Sequence, residues 1–131
     1  WTYAGAGTYR QANASTANQL AIVRGFDEDS VWAVVGDYRL GDDATARANY
    51  LAIGLDSSTA AATGCIIGTE SVTNALGAGD VNMRAYYIGF PGLGYHELRW
   101  LENNATGTPT IYGDNGTPLL VQSGMSGWVN A

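Results

Sequence analysis

The chain has 131 residues, with six Arg, no Lys and 12 acidic residues, for a net charge of −6 at neutral pH. A surface of that sign repels the phosphates of nucleic acid and of an anionic membrane, so neither is expected as a partner. No apolar run reaches the roughly 18 residues of a membrane helix, and the single Cys, Cys65, cannot pair within the chain, so a disulfide framework is excluded. A chain this long buries roughly 65 to 70% of the surface its unfolded form exposes, so residues 1–131 are expected to fold as one domain without a metal or cofactor. Because the chain opens at Trp1 without a basic-then-apolar leader, it reads as the distal fragment of a longer polypeptide or as a processed product.

Trp1 to Gln11 alternates aromatic and small residues and is expected to be an edge strand or an extended arm. Ala12 to Asn18 fits a loop or one short helical turn. Gln19 to Phe26 carries Leu20 and Ile22 on one face and runs into the acidic turn Asp27-Glu28-Asp29. In Ser30 to Leu40, Val31, Ala33 and Val35 face one way and Trp32 and Val34 the other, with Gly36 marking a bulge or a close backbone approach. Asp42-Asp43 is a turn. Arg47 to Asp56 then alternates Leu51, Ile53 and Leu55 against Tyr50, Ala52 and Gly54, the pattern of a half-buried strand.

A Ser, Thr and Ala loop follows to Thr63, and Gly64 to Val72 holds Cys65 in an apolar run, where it reads as a small buried hydrophobe. After the turn Leu76-Gly-Ala-Gly-Asp80, Val81, Met83, Ala85 and Tyr87 alternate with Asn82, Arg84 and Tyr86. Phe90-Pro-Gly-Leu-Gly94 is a turn. In Leu93 to Glu102, His96, Leu98 and Trp100 share one face and Tyr95, Glu97, Arg99 and Leu101 the other. The run Asn103-Asn-Ala-Thr-Gly107 is expected to turn this strand into a hairpin with Thr110 to Tyr112, Gly107 taking a positive φ. Asp114-Asn-Gly-Thr-Pro118 is a second turn, and Leu119 to Val129 ends the chain through the pliable Ser123-Gly-Met-Ser-Gly127. The 18 Gly follow no period and punctuate short strands. Eight or nine such strands define an all-β fold, an antiparallel two-sheet sandwich of jelly-roll type, with an up-and-down barrel as the rival.

One His, one Cys and no Lys leave few catalytic sets. Gly-x-Ser-x-Gly is absent, and His96-Glu97 lacks the second His of a zinc helix. Paired carboxylates remain chemically possible, but Asp27, Glu28, Asp29, Asp42 and Asp43 fall in turns, where solvated charge is the default. The Gly89 to Gly94 segment precedes a strand and has no Gly-Lys-Ser/Thr, so it is a turn and not a phosphate loop. Asn13, Asn104 and Asn115 begin glycosylation-type triplets that matter only in a secretory pathway. The eight Tyr and four Trp ask for explanation. Flat rings with polar edges suit sugar grooves and protein interfaces, and Tyr86 and Tyr87 cannot both enter one core, so one of them faces a second sheet, a neighbouring subunit or a ligand.

The opening Trp-Thr-Tyr, Tyr9-Arg-Gln-Ala-Asn-Ala-Ser-Thr-Ala-Asn-Gln19, Tyr50-Leu-Ala-Ile-Gly-Leu-Asp-Ser-Ser-Thr59, Pro91-Gly-Leu-Gly-Tyr-His-Glu-Leu-Arg-Trp-Leu-Glu102 and Gln122-Ser-Gly-Met-Ser-Gly-Trp128 resemble carboxy-terminal domains of tailed-bacteriophage tail fibre or minor virion structural proteins. The resemblance implies a non-enzymatic β-sandwich head in a virion, homotrimeric, contacting other virion proteins and a host-surface glycan or protein. No coiled-coil heptad is present to enforce the trimer. Capsid decoration is the alternative within the same family, and a carbohydrate-active enzyme or lectin-like module the alternative outside it. Since sandwiches present their contacts at strand ends, the candidate receptor-binding residues are Asp27, Asp29, Asp42, Asp43, Asn103, Asn104, Asp114 and Asn115, with Tyr38 and Tyr95 as aromatic candidates.

Overall fold

A computed structural model describes residues 1–4, 7–26, 29–40, 47–72, 80–113 and 123–130. Among the described residues nine strands form: β1 (Arg10–Gln11), β2 (Gln19–Arg24), β3 (Val31–Leu40), β4 (Arg47–Leu55), β5 (Gly68–Val72), β6 (Asp80–Gly89), β7 (Gly94–Thr106), β8 (Thr110–Tyr112) and β9 (Gly124–Val129). A 3-10 turn, Ala12–Ala14, is the one helical element among the described residues. The strands make two antiparallel sheets. In sheet I, β1 and β2 lie end to end along one side of β7, with β4 and then β5 on the other; in sheet II, β6 flanks β3, whose opposite side pairs with β8 and β9. This is the expected all-β sandwich, and most connections carry the chain from one sheet to the other, as in a jelly roll.

Strand alternation sets the core. Val31, Ala33 and Val35 on β3 and Met83, Ala85 and Tyr87 on β6 meet Leu51 and Ile53 on β4 and Leu98 and Trp100 on β7. Each buried aliphatic side chain of this kind contributes roughly 1.5–3 kcal/mol. Three expectations change. Asn103 to Gly107 does not close a hairpin: β7 runs on to Thr106, and β8 pairs with residues 38–40 of β3 in the other sheet. Gly107 does take a positive φ of 82°, but there the chain passes between sheets. Gly36 continues the regular β3–β6 register, and a Cβ there would make only an ordinary contact, so it marks neither bulge nor close approach. β4 is buried on both faces from Leu51 to Gly54, because the 56–63 loop folds back over the outside of sheet I. The loop turns at Asp56 (φ 53°) and is tied down where Ala62 N–H donates to the Ile53 carbonyl at 2.8 Å. A Cβ on Gly54 would strike the Ser57 carbonyl and come within 2.9 Å of Leu101 Cδ1, so glycine is required under the loop.

Cys65 is only partly buried: its Sγ accepts the Ile53 N–H at 3.3 Å, and burial pushes the thiol above its ordinary range. The first residues join both sheets. Thr2 bridges Thr110 beside β8, while Arg10–Gln11 pairs with β7, so the extended arm extends sheet II before entering sheet I.

The polar end of the interior has no counterpart in the sequence reading. Glu102, 1% exposed, shares the inner face of β7 with Leu98 and Trp100. It accepts Trp1 Nε1 at 2.8 Å, Arg10 Nε at 2.7 Å and the Asn13 N–H at 3.1 Å, and the Trp1 ring packs edge-on against Trp100. Within β3 the buried Arg39 donates to Asp37, and between β4 and β5 of sheet I Asn49 donates to Glu70 at 2.7 Å.

Candidate functional site

The outer face of sheet II carries the strongest candidate. With Val31, Ala33 and Val35 turned inward, β3 must present Trp32 and Val34 outward. The register places Trp128 of β9 on one side of Trp32 and Ile88 of β6 on the other, then Ser126 and Tyr86 on either side of Val34. The Trp32 and Trp128 rings stack at 3.9 Å with 26° between planes, and Tyr86 lies 6.4 Å from Trp32. Trp128 is 59% exposed and Ile88 is exposed beside it. The next register places Gly36 between Gly124 and Arg84, so the row gives way to a low step with a cation at its margin. Stacked rings of this kind give contact area at low entropic cost, since each has only two side-chain torsions to fix. Around the edge formed by β2 and β9, a cavity of about 260 Å³ runs inward past Trp128, lined by Leu20, Ile22, Val31 and Val129.

The outer face of sheet I is polar and already satisfied. Glu97 takes hydrogen bonds from Arg99, from the Tyr95 hydroxyl at 3.0 Å and from Gln19 Nε2 at 3.0 Å. These hold its carboxyl below the usual range, Arg99 contributing most, and the bond to Glu97 in turn raises the Tyr95 phenol. Asp56 accepts the Glu97 N–H at 2.8 Å and sits 2.8 Å from His96 Nδ1. Partial burial works against the charged form of Asp56, but those two bonds outweigh it and lower its pKa. Both carboxyls therefore bind a proton less readily folded than unfolded. Their stabilisation is complete above the unfolded range of about 4 and is lost as pH falls through the lowered values. Asp56→Asn, which keeps a side chain suited to the left-handed backbone, is expected to flatten the acid limb of stability, read from urea midpoints between about pH 2 and 6. An unchanged limb would contradict this assignment.

Among the described residues, those singled out from the sequence are not gathered into one site. Tyr95 is exposed but on sheet I, away from the aromatic row, with its hydroxyl engaged by Glu97. Asp29 is half-buried in the connection before β3. Asn103 and Asn104, expected on a loop, are buried inside β7, Asn104 completely. Asn104 Nδ2 donates to the Tyr3 and Gly107 carbonyls at 2.8 and 2.6 Å and Asn103 Nδ2 to the Gly7 carbonyl at 3.3 Å, so both amides bridge main chain. The backbone of Tyr38 lies in β3, with its side chain outside the described structure. Asp27, Asp42, Asp43, Asp114 and Asn115 lie outside the described residues. Trp32 and Tyr86 were legible as outward candidates from strand parity; Trp128 was hidden in a Gly- and Ser-rich tail. Among the described residues no group of three His, Cys, Asp or Glu side chains is placed to hold a metal, and no helix is long and apolar enough to cross a membrane.

Fold and surface together define a two-sheet antiparallel sandwich with an outward aromatic face. Comparison with known proteins finds no family model, no curated protein and no solved structure that matches the chain.

Proposed function

We propose that this chain is a non-enzymatic binding and assembly domain of a tailed-bacteriophage virion, the tip of a tail fibre or spike. Copies associate, three to a head, through the outer face of sheet II, and the assembled head contacts a host-surface glycan or protein. The observation that carries this reading is the outward row Trp128–Trp32–Ile88 with Tyr86, which leaves a stacked Trp pair facing solvent in the isolated chain. Rings of this size in water lose their unfavourable hydration only against another surface. The virion setting rests on the sequence resemblance.

Light scattering tests the assembly. The wild type is expected to run as one species of about three 13.7 kDa chains. Because Trp128 is more than half exposed, Trp128→Ser is expected to keep the fold, losing roughly 1 kcal/mol of ring packing, and to run as a monomer. A wild type that stays monomeric at every concentration would overturn the reading.

A further inference from the structure

The two long margins of the sandwich differ in shape. On one, β2 of sheet I lies beside β9 of sheet II; on the other, β5 lies beside β6. Among the described residues β2, β5 and β9 each pair with a single strand, so their outer edges are open. The β2–β9 margin is hollow. Gly127 lies opposite the inward-facing Ala33, where a Cβ would strike the Trp32 carbonyl, so glycine is required and no side chain fills the space. The cavity of about 260 Å³ opens there and runs past Leu20, Ile22 and Val129 to Val31 and Leu98 of the core. Every side chain that lines it is apolar. The β5–β6 margin carries the converse shape, since Ile66 is 66% exposed and Ile67 40%. Main-chain bonds to Tyr86, at 2.7 and 3.0 Å, hold Ile66 in one row with Tyr86, Val34 and Ser126 across sheet II. Gly68 draws the segment against β6, for a Cβ there would strike the Arg84 carbonyl. The two isoleucines are therefore a fixed projection that loses little freedom on docking.

We infer that these margins are the two halves of one contact, the Ile66–Ile67 projection of one copy seating on the β2–β9 cavity of the next. Such a contact is head to tail, the kind that closes a ring when the rotation between copies allows it. Three observations make a second copy of this chain the occupant. No charged residue occurs at positions 19–23, 66–69 or 124–130, so chains of net charge −6 can meet here without opposing or burying charge. The exposed Arg84 beside Gly68 adds attraction for an acidic partner. Trp32 and Trp128 line the cavity as well as forming the outward row, so the contact is continuous with the face already assigned to association. The inference rests on that reading and adds to it which surfaces of two copies touch.

Disulfide trapping tests the pairing in a chain carrying Cys65→Ser, which keeps an acceptor for the Ile53 N–H. Ala21, exposed at the lip of the cavity, and Ile67 lie on opposite margins, so cysteines at the two positions cannot join within one chain. On mild oxidation the chain with both Ala21→Cys and Ile67→Cys is expected to yield covalent dimers and trimers. An equal mixture of the two single variants should yield covalent dimers alone, and either single variant by itself no covalent product. In light scattering Ile66→Ser/Ile67→Ser, at exposed positions, should weaken association roughly 10- to 100-fold, the worth of one buried aliphatic side chain. A covalent dimer from one single variant would show a two-fold contact. No inter-chain product from the doubly substituted chain, or a serine variant that associates as tightly as the wild type, would give the cavity to another occupant. Each of these results overturns the inference. A wild type that stays monomeric removes the assembly reading as well, whereas a trimer that Trp128→Ser dissociates and the serine variant does not removes this inference alone.

Discussion

Glu102→Ala is expected to destabilise the fold by about 2–4 kcal/mol, the cost of taking the acceptor from an indole N–H and a main-chain N–H while the one-third-exposed Arg10 loses its carboxylate. Glu102 is a hub between the two sheets. Its carboxylate takes the Trp1 indole and Arg10, and it satisfies the N–H of Asn13, which with Ala14 holds an uncommon left-handed backbone (φ 54° and 50°). Removing the acceptor leaves a part-buried indole N–H and a part-buried main-chain N–H without their partner and releases the arm that crosses from sheet II to sheet I. Glu102→Gln retains a carbonyl oxygen and is expected to lose less than Glu102→Ala. Urea denaturation of the two variants beside the wild type measures this; a loss below about 1 kcal/mol for Glu102→Ala would contradict the role.

The second large effect is at Arg39, 1% exposed, whose guanidinium donates to Asp37 at 2.8 Å through Nε and 2.5 Å through Nη2. Arg39→Met takes from the buried Asp37 carboxyl its one hydrogen-bond partner among the described residues and is expected to cost about 3–5 kcal/mol at neutral pH, either as a buried charge left unpaired or as the proton it must take up. The double variant Asp37→Leu/Arg39→Met removes both charges and is expected to recover most of that loss, since burying an ion pair offsets much of its own attraction. The pH dependence adds a sign. Burial raises the Asp37 carboxyl even against the Arg39 charge, and its Oδ1 has no hydrogen-bond partner. An acid raised in the folded state binds its proton more tightly there than unfolded. Its contribution is fully present below the unfolded range near 4 and is lost as pH rises through the raised value. The Arg39→Met defect should therefore shrink as pH falls. A defect that is constant with pH, or a double variant as unstable as the single, would contradict the assignment.

Strand parity made the layers of this protein legible. Val31, Ala33 and Val35 against Trp32 and Val34 specify one sheet, and Met83, Ala85 and Tyr87 against Tyr86 place its neighbour in register. Local pattern could not choose the partner of a strand. Leu93 to Glu102 and Thr110 to Tyr112 look like a hairpin around a Gly turn, yet they enter opposite sheets, because the Asn103 and Asn104 amides serve main-chain carbonyls instead of a turn. The polar interior was equally hidden. Asp37, Arg39, Asn49, Glu70 and Glu102 occupy inward positions of strands whose other inward residues are apolar, and charge at such positions is ordinarily read as exposure. Only their pairing with one another inside the sandwich, Asp37 with Arg39 on β3, Asn49 with Glu70 between β4 and β5 and Glu102 with Arg10 between β7 and β1, explains them. Trp128 follows five residues of Gly, Ser and Met that read as pliable, while the structure pairs the last four, Gly124 to Gly127, with β3 as part of a strand.

Hydroxyl-radical footprinting of the associated protein against the Trp128→Ser variant measures the outward face of sheet II directly. Labelling of Trp32, Tyr86 and Ile88 is expected to fall in the associated wild type and to rise when the variant dissociates it, with Tyr95 on the opposite face labelled equally in both. Protection of Tyr95 in the associated species, with Trp32, Tyr86 and Ile88 as reactive as in the variant, would place the contact on sheet I and contradict the account.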